Sequence, residues 1–518
     1  MEKINIIGAG LAGLSAAVTL AKGGRHCRLI SLQPSERAQS VLAEGGINAA
    51  LDVMGEGDKP EYHFEDTMRG GVYLADEEAV RRLTAGAPDT VRWLAELGVP
   101  FNMKEGRLIQ RNFGGQKKKR TAYAKSSTGK MIMSALIDEA RKYEVRGLIE
   151  RFAHHSFLGC DIAEGVCRGA VVCDRYTGEQ TAFAGRVIMC CGGLAGLFPR
   201  MTTGTTQNSG YAAARLFEQG VRFGNLEMLQ YHPTTIGIPD KRCLVTEAAR
   251  GEGGRLYIER GGEKWYFMEE KYPELKNLMP RDVVAREMYM VRRQEDCGGT
   301  VYLDMTGLSN EVWEKRLPDL RAEIRHYLAI DPADEPVPVK EGIHYFMGGI
   351  YTDVFHRTNI EGLYAAGECT CQYHGANRLG GNSMLGAVFG GKTAAEDILE
   401  TTEREGEISL KEKLTENEPA EAVKVKLGEI LYSGLGIVRS EKGLKEALDR
   451  LDTLEREAGV FPRTRLGRAM LESALARKES RGAHYREDFP EKDEALCKPT
   501  MAVCQNGSIS VSIGETQL

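Results

Sequence analysis

The chain has 518 residues, 42% of them hydrophobic and 27% charged, and its formal net charge is −6 at pH 7. This length predicts two or three domains in a soluble globular protein with ample apolar content for a core. Charges of both signs are dispersed and no long basic stripe is present, which argues against nucleic-acid binding. Nothing beyond the glycine-interrupted N-terminus is apolar for long enough to span a bilayer, so we expect a cytoplasmic protein without a membrane span of its own.

The twelve cysteines follow no spacing typical of a disulfide framework, and no CxxC pair suggests zinc or an iron–sulfur cluster. We therefore expect reduced cysteines and no metal site. Cys369 and Cys371 in "ECTCQ" could pair or react, but a plain reduced pair is the interpretation we favour.

The N-terminal elements form a βαβ pattern. A short apolar strand, "KINIIGAG", leads into the helical periodicity of "LAGLSAAVTLAKGG", and "CRLISL" is the next strand. Gly8, Gly10 and Gly13 have the G-x-G-x-x-G spacing that lets backbone N–H groups approach a pyrophosphate at a helix N-terminus. The acidic residue expected after the second strand is absent. Ser31 can still bind a ribose hydroxyl, but the missing acidic residue argues against a plain NAD site.

Further along the chain the α/β pattern is interrupted and then resumes. Strands meet glycines again in "GRVIMCCGGLAG" and "IEGLYAAGECT", the stretch between them is mixed, and the chain after Ala394 is helical and charged. We predict an α/β fold with a Rossmann-like nucleotide-binding domain in two segments, an inserted α+β domain and a C-terminal helical domain. The predicted boundaries are 1–229 with 345–401, then 230–344, then 402–518.

Six further motifs contain the polar residues of a candidate site: "QRNFGGQ", "LQYHPTT", "LVTEAARGEGG", "MPRDVVARE", "HYFMGGI" and "AAGECTCQYHGANRLGGNSM". Taken singly, His232 could cap a turn, Arg281 could begin a helix as a solvated charge, and His344 could be a core histidine. Together these motifs contain the groups that hold a small dicarboxylate, because arginine grips a carboxylate in a fork while histidine and threonine supply directional hydrogen bonds.

The ordered set of motifs resembles the flavoprotein subunits of fumarate reductase and succinate dehydrogenase and their relative L-aspartate oxidase. The resemblance runs from Ile4 to about Pro490 and includes "ALARKESRGAHYREDFP". It implies a flavin-binding domain, a mobile capping domain inserted into it, and FAD as the cofactor. The implied cofactor residues are Gly8, Gly10, Gly13, Ser31, Ser40, Ala43, Glu44, Gly45, Gly46, Glu368, Ser383 and Met384.

Two positions depart from the family pattern. Covalent members carry a histidine in a "SHTV" pattern, whereas this chain has "AQSV" with Gln39 in that place, so the resemblance implies non-covalent FAD. A "TGDG" aspartate is replaced by Ser209. In the family the "AEGG" segment lies along the flavin, and we expect Gly45 and Gly46 to be bare because a planar ring approaches the backbone.

The resemblance also implies roles at the substrate. His232, Thr246, His344 and Arg378 would bind the substrate carboxylates. Arg281 would donate the proton, with Glu247 and Arg250 as its relay to solvent.

Three functions remain open: interconversion of fumarate and succinate, L-aspartate oxidation, and a non-catalytic flavin-binding or assembly role. Aspartate oxidases carry "REGGH" where this chain has "NFGGQ", and Phe113 cannot neutralise a substrate ammonium. Glu44 also favours fumarate reduction, because "AEGG" resembles the segment of some fumarate reductases. If the Glu44 side chain leaned toward the substrate, however, it could replace the glutamate of "REGGH" that this chain lacks.

The electron donor is not apparent in this sequence. The resemblance leaves an iron–sulfur subunit or another carrier open, and such a subunit would allow peripheral attachment at the inner face of the membrane. The "KKKR" run, 117–120, is expected to be a solvated loop, with steering of dianions or of a partner as the alternative.

Overall fold

The computed structural model describes residues 2–125, 127–205, 207–404, 407–409 and 413–514. The helices are α1 Leu11–Lys22, α2 Pro60–Gly70, α3 Glu77–Glu96, α4 Thr128–Val145, α5 Tyr211–Glu218, α6 Glu247–Gly251, α7 Phe267–Lys271, α8 Arg281–Val291, α9 Pro318–Leu328, α10 Asn382–Glu400, α11 Glu421–Gly434, α12 Glu441–Ala458 and α13 Pro462–Ala476. The strands from β1 to β12 are Lys3–Ile7, His26–Ser31, Ile47–Asn48, Met103–Lys104, Arg107–Leu108, Gln110–Arg111, Thr121–Ala122, Ile149–Ala153, His155–Ala163, Val166–Asp174, Gln180–Ala184 and Val187–Met189. The strands from β13 to β23 are Phe223–Gly224, Leu229–Gly237, Arg242–Leu244, Arg255–Arg260, Glu263–Trp265, Cys297–Asp304, Val337–Phe346, Gly349–Ile350, Leu363–Ala365, Thr500–Gln505 and Ser508–Ile513.

A parallel five-stranded sheet of order β21-β12-β1-β2-β8 forms the centre of the molecule. The predicted βαβ unit is present, because β1 and β2 pair in parallel and α1 connects them. Helix α1 packs against α10, and the residues of β1 after Lys3 are buried. The sheet and its helices agree with the predicted α/β fold class, which is confirmed.

A second sheet of order β15-β14-β19-β18-β16-β17 lies in the stretch between the two halves of the parallel sheet domain. All six strands fall between residues 229 and 346, where the sequence predicts the inserted domain. Helices α6 to α9 belong to the same stretch, and a separate apolar core around Trp313, Phe267 and Val284 holds this unit together.

The C-terminal region is helical from α11 to α13 but ends in strands. Strands β22 and β23 form a hairpin that joins β13 and β20 in a four-stranded sheet. The turn is Asn506-Gly507, and both residues have positive φ, as a two-residue hairpin turn requires. The helical prediction for 402–518 therefore does not hold for the hairpin, although the sequence contains its Asn-Gly turn signal. In the part of the chain that the structure describes, no helix has the length and apolar character needed to cross a membrane.

Candidate functional site

One cavity of about 1100 Å³ runs from the N-terminus of α1 to the inserted domain. This volume is slightly above the usual range for small-molecule sites, which ends at about 1,000 Å³. The predicted residues that line it are Gly8, Gly10, Ser31, Ser40, Ala43, Glu44, Gly45, Gly46, Phe113, His232, Thr246, Glu247, Arg281, His344, Glu368, Arg378, Ser383 and Met384. Gly13 and Arg250 lie outside the lining. Residues that the sequence analysis selected from motifs far apart in the chain therefore line one cavity.

The dinucleotide end of the cavity is built from backbone. A Cβ on Gly8, whose φ is +115°, would lie 2.1 Å from the carbonyl oxygen of Cys190. A Cβ on Gly13 would lie 1.9 Å from the Gly8 carbonyl oxygen, so Gly13 serves the packing of α1 rather than direct contact with a ligand. These glycines leave the first turn of α1 open to the cavity, where its N–H groups favour a phosphate anion.

Three polar residues at this end have protein partners. The Ser31 hydroxyl donates to the Gln33 carbonyl at 2.7 Å, and the Gln39 amide oxygen accepts a hydrogen bond from the Thr205 N–H at 2.6 Å. Ser209 accepts from the Tyr211 N–H at 3.2 Å. Gln39 lies in the cavity wall.

Packing within the protein gives a reason of its own for glycine at Gly45 and Gly46. Gly46 has a φ of +132°, and a Cβ there would lie 2.5 Å from the Thr121 methyl and 2.6 Å from the Ala122 carbonyl oxygen. A Cβ on Gly45 would lie 3.3 Å from the Phe113 ring. Protein packing therefore requires glycine at Gly46 and constrains Gly45, although both residues also line the cavity.

Two histidines stand at the far end of the cavity. His232 on β14 and His344 on β19 have ring centroids 5.2 Å apart. His232 Nδ1 lies 3.0 Å from the Thr234 carbonyl oxygen, whereas its Nε2 is buried without a partner; His344 Nδ1 is 2.7 Å from the Thr203 hydroxyl. Burial and the nearby Arg281 guanidinium hold the pKa of both rings well below the usual value, so both are neutral at pH 7.

Arg378 supplies a positive charge beside the histidines. Its guanidinium carbon lies 4.4 Å from the Tyr345 ring centroid, and its Nε is buried without a hydrogen-bond partner. Burial lowers the pKa of Arg378 to about 10, which still leaves it charged at pH 7. Nearby, burial raises the pKa of Glu368 to about 7, although Glu368 accepts a hydrogen bond from the Phe346 N–H at 3.1 Å.

Arg281, the first residue of α8, is held in place by two partners. Its Nε donates to Glu247 at 2.8 Å, and its Nη1 donates to the Gln230 amide oxygen at 3.2 Å. Glu247 also accepts from the Gly114 N–H at 2.9 Å. Although burial opposes ionisation, the Arg281 and Arg250 guanidiniums hold the pKa of Glu247 below its ordinary value. Glu247 is thus an ionised carboxylate directly behind Arg281.

Arg250 lies close enough to Glu247 for its charge to lower the pKa of that carboxyl. Its Nη1 donates to the Asn277 carbonyl at 2.6 Å, while Nε and Nη2 are buried without partners, and burial lowers its pKa to about 10. Arg250 is only 3% exposed and does not itself reach solvent. The Asn277 side chain contacts the partly exposed Glu269 at 3.4 Å, which extends the polar chain toward the surface.

Glu44 and Phe113 enter the cavity from the other wall. Glu44 hydrogen-bonds to Thr246, the N-cap of α6; burial, together with Glu323 and Asp319, raises the pKa of Glu44 to about 8. At pH 7 the neutral acid therefore predominates. Phe113 is buried. These contacts bring Glu44 next to a predicted substrate residue and leave Phe113 as an apolar wall.

Sequence reasoning missed several residues of this site. Gln230 is fully buried and donates both to the Asn377 side chain at 2.8 Å and to the Arg378 carbonyl at 2.9 Å, while it accepts from Arg281. Thr203 supports His344. Gln230 belongs to the "LQYHPTT" motif, which the sequence analysis assigned to the site because of His232. Nothing in that motif indicates that Gln230 contacts Arg281 and Arg378.

The described residues fit FAD on structural grounds. The glycine cradle and the open first turn of α1 suit a pyrophosphate, and the same cavity continues without a break to the histidine and arginine end. An extended dinucleotide with a ring at the far end matches this shape.

Comparison with known proteins agrees with this geometry. The FAD binding domain family matches residues 4–384, and the fumarate reductase flavoprotein C-terminal family matches residues 463–518. The succinate dehydrogenase flavoprotein subunit of Bacillus subtilis is 36% identical over 549 residues, covering 97% of this chain and 94% of the relative. A fumarate reductase (CoM/CoB) subunit of Methanothermobacter marburgensis is 37% identical over 526 residues, covering 94% of each chain.

An L-aspartate oxidase is almost as similar. The enzyme of Pyrococcus furiosus is 34% identical over 507 residues, covering 97% of this chain and 99% of the relative. Among solved structures, E. coli quinol fumarate reductase FrdA has a TM-score of 0.89 at 30% identity, covering 100% of this chain and 98% of that chain. Overall identity therefore does not choose between the two activities, and the choice depends on the site.

Proposed function

Because the chain belongs to the flavoprotein family of fumarate reductase and succinate dehydrogenase and is an FAD-dependent oxidoreductase, we propose that it interconverts fumarate and succinate and favours fumarate reduction. The observation that carries the proposal is the character of the far end of the cavity. His232 Nε2 and Arg378 Nε are buried there with no hydrogen-bond partner among the described residues, beside the guanidinium of Arg281. Buried polar groups of this kind favour an anionic ligand that completes their hydrogen bonds.

The charge balance supports a dicarboxylate without an amine. Glu247 is neutralised by Arg281, and Glu44 is mostly protonated at pH 7. Phe113 adds an apolar wall where an ammonium would need an anion, and an unpaired buried charge costs several kcal/mol. Among the described residues, Arg378 and Arg250 form no salt bridge, and both are charged at pH 7. Even with Glu368 partly ionised at its pKa of about 7, this end of the cavity keeps a positive surplus that suits a dianion.

In the proposed mechanism FAD supplies the hydride when bound. His232, His344, Thr246 and Arg378 bind the two carboxylates and stabilise the negative charge that grows on one of them as the alkene is reduced. The neutral His232 ring can take up a proton when a dianion approaches, because the dianion raises the pKa that burial and Arg281 lower. Nδ1 then donates to the Thr234 carbonyl and Nε2 donates to the carboxylate.

Arg281 is proposed to deliver the proton to the substrate carbon. Gln230 and Glu247 fix the guanidinium from two sides, so its remaining N–H groups have a defined direction. After transfer, Glu247 and Arg250 are proposed to return a proton to Arg281; Glu247 contacts Arg281 directly, and the charge of Arg250 acts on Glu247. Burial lowers the pKa of Arg250, the second member of this relay, to about 10, which eases its exchange of a proton.

FAD is proposed to be held without a covalent bond, and the support is Gln39 in the cavity wall. An amide is not a nucleophile that attaches to the flavin ring. Losing the electron-withdrawing link should lower the flavin potential, which favours fumarate reduction over succinate oxidation. Acid denaturation followed by filtration should release the flavin, whereas flavin fluorescence on the denatured polypeptide would contradict the proposal.

Electrons are proposed to arrive from a separate iron–sulfur subunit or another reduced carrier. The relatives from B. subtilis and M. marburgensis are both named as subunits, which supports a partner. Such a partner would also supply any attachment to a membrane.

L-aspartate oxidation is the second candidate. It is supported by the similarity to an aspartate oxidase and by Glu44, which reaches Thr246 and would meet an ammonium if it ionised. Two assays distinguish the candidates. Without oxygen, the protein should oxidise reduced benzyl viologen when fumarate is added. In air, L-aspartate should yield little iminoaspartate or hydrogen peroxide. Robust oxidation of L-aspartate would overturn the first proposal.

A further inference from the structure

Arg111, in the "QRNFGGQ" motif, lies one layer behind the wall of the cavity. It is the last residue of β6, and its Nη2 donates a hydrogen bond to the Gly45 carbonyl. Its guanidinium carbon lies 4.3 Å from the Tyr123 ring centroid and 5.3 Å from the Phe113 ring centroid. Gly45 and Phe113 line the cavity, whereas Arg111 does not. The guanidinium is therefore held against the back of two wall residues.

Within the part of the chain that the structure describes, the Arg111 guanidinium forms no salt bridge, and its Nε is buried without a hydrogen-bond partner. Glu44 is mostly protonated at pH 7, and Glu247 and Glu252 are each paired with another arginine. Burial lowers the pKa of Arg111, but a guanidinium stays protonated at pH 7. The two flanking aromatic rings offset only part of the cost of a desolvated cation. The charge is therefore available to an anion in the cavity.

The wall segment 40–46 runs between the two ends of the cavity. At one end, the Ser40 hydroxyl oxygen accepts a hydrogen bond from the first N–H of α1 at 3.3 Å. At the other end, a Cβ on Gly45 would lie 3.3 Å from the ring of Phe113, and the residue after Phe113 donates its N–H to Glu247. A dinucleotide whose pyrophosphate lies at α1 and whose ring reaches the substrate end must pass Gly45. The charge behind Gly45 therefore acts on that ring.

We propose that Arg111 raises the reduction potential of the bound flavin. A flavin that takes up two electrons and one proton keeps one negative charge, and a nearby cation stabilises that charged form over the neutral oxidised form. Because Arg111 lies outside the cavity surface, it acts through its charge rather than by contact. The inference requires bound FAD but no particular substrate. Its failure would leave the fumarate proposal untouched, and a failed fumarate assay would leave the role of Arg111 untouched.

The experiment measures the FAD content and the midpoint potential of the full-length FAD-loaded protein at pH 7 by anaerobic spectroelectrochemistry. Arg111→Met removes the charge and keeps an apolar stem, and it should lower the potential by at least about 30 mV, a tenfold change in the two-electron equilibrium constant. Arg111→Lys keeps a positive charge and should lower the potential by less than half as much. Arg107→Met removes an equal charge from an exposed residue of β5 and should change the potential little, because salt screens exposed charges.

An unchanged potential in Arg111→Met would overturn the proposal. A shift of the same size in Arg111→Lys or in Arg107→Met would overturn it too, because the effect would then not follow the charge at this position. If Arg111→Met does not retain FAD, Arg111→Gln, which keeps a donor for the Gly45 carbonyl, is measured in its place and should show the same decrease. Loss of FAD from both neutral variants would give Arg111 a structural role and would also contradict the proposal.

Discussion

The two ends of the cavity are built by different means. At the α1 end, glycine backbone and a helix N-terminus form the surface. The Ser31 hydroxyl and the Gln39 amide oxygen there form hydrogen bonds within the protein. At the far end, charged and neutral side chains from both domains form the surface, and buried nitrogen atoms of His232 and Arg378 lack partners. Binding at the first end depends on the shape of the backbone, and binding at the second depends on individual charges. Substitutions at the first end should therefore lower the FAD content, whereas substitutions at the second should change turnover or substrate binding.

The largest expected effect is at the backbone end. Gly13→Ala should abolish FAD binding, because the added Cβ would lie 1.9 Å from the Gly8 carbonyl oxygen and must displace α1 or its turn. The flavin-to-protein ratio from absorbance, with thermal unfolding measured in parallel, checks this. Gly307→Ala is the matched control, because nothing lies within 4 Å of its added Cβ. A fully loaded Gly13→Ala protein would contradict the shape-based account of this end.

The next effect is at the side-chain end. Arg281→Lys should lower kcat by about 10³-fold while FAD stays bound, because an ammonium cannot keep both Gln230 and Glu247 contacts and still reach the substrate carbon. Reduced benzyl viologen oxidation by fumarate measures kcat. Arg286→Lys on the same helix should change it little. Near-normal turnover of Arg281→Lys would remove Arg281 from the role of proton donor.

Arg378→Ala should act mainly on binding. Removing a buried guanidinium that faces a carboxylate costs about 2–5 kcal/mol, so the KM for fumarate should rise by about 30-fold or more. The flavin content should not change, since Arg378 belongs to the far end of the cavity. Steady-state kinetics at fixed ionic strength gives KM and kcat separately. An unchanged KM would show that the carboxylates bind elsewhere.

The smallest effect concerns pH. The pKa of Glu44 is raised to about 8, so the group is neutral below that pH and becomes an anion as the pH rises through it. The anion would repel a dianion at Thr246, so KM should rise by about threefold between pH 7 and pH 9, and Glu44→Gln should remove that rise. Glu36→Gln, which changes an exposed carboxylate, is the control. If the KM of Glu44→Gln rose by the same factor between pH 7 and pH 9, a group other than Glu44 would be responsible for the rise.

The sequence was sufficient for the fold class and for the glycine motif, because local spacing determines both. It was also sufficient to place residues of six motifs in one site, because the resemblance supplied their order. It was not sufficient for Gln39 and Thr205, whose hydrogen bond joins residues 166 positions apart, nor for the contact of Gly114 with Glu247 through a backbone N–H. A backbone donor has no side-chain signature, and only the folded chain brings such partners together.

The far end of the cavity should accept a dianion and reject an ammonium. This is measured by titrating the oxidised FAD-loaded protein with succinate and with L-aspartate and following the flavin absorbance at pH 7. Succinate should bind at least about tenfold more tightly, since L-aspartate would bring an ammonium beside Phe113 without a partner. Phe113→Glu should narrow that difference. L-aspartate binding as tight as or tighter than succinate in the wild-type protein would contradict the claim.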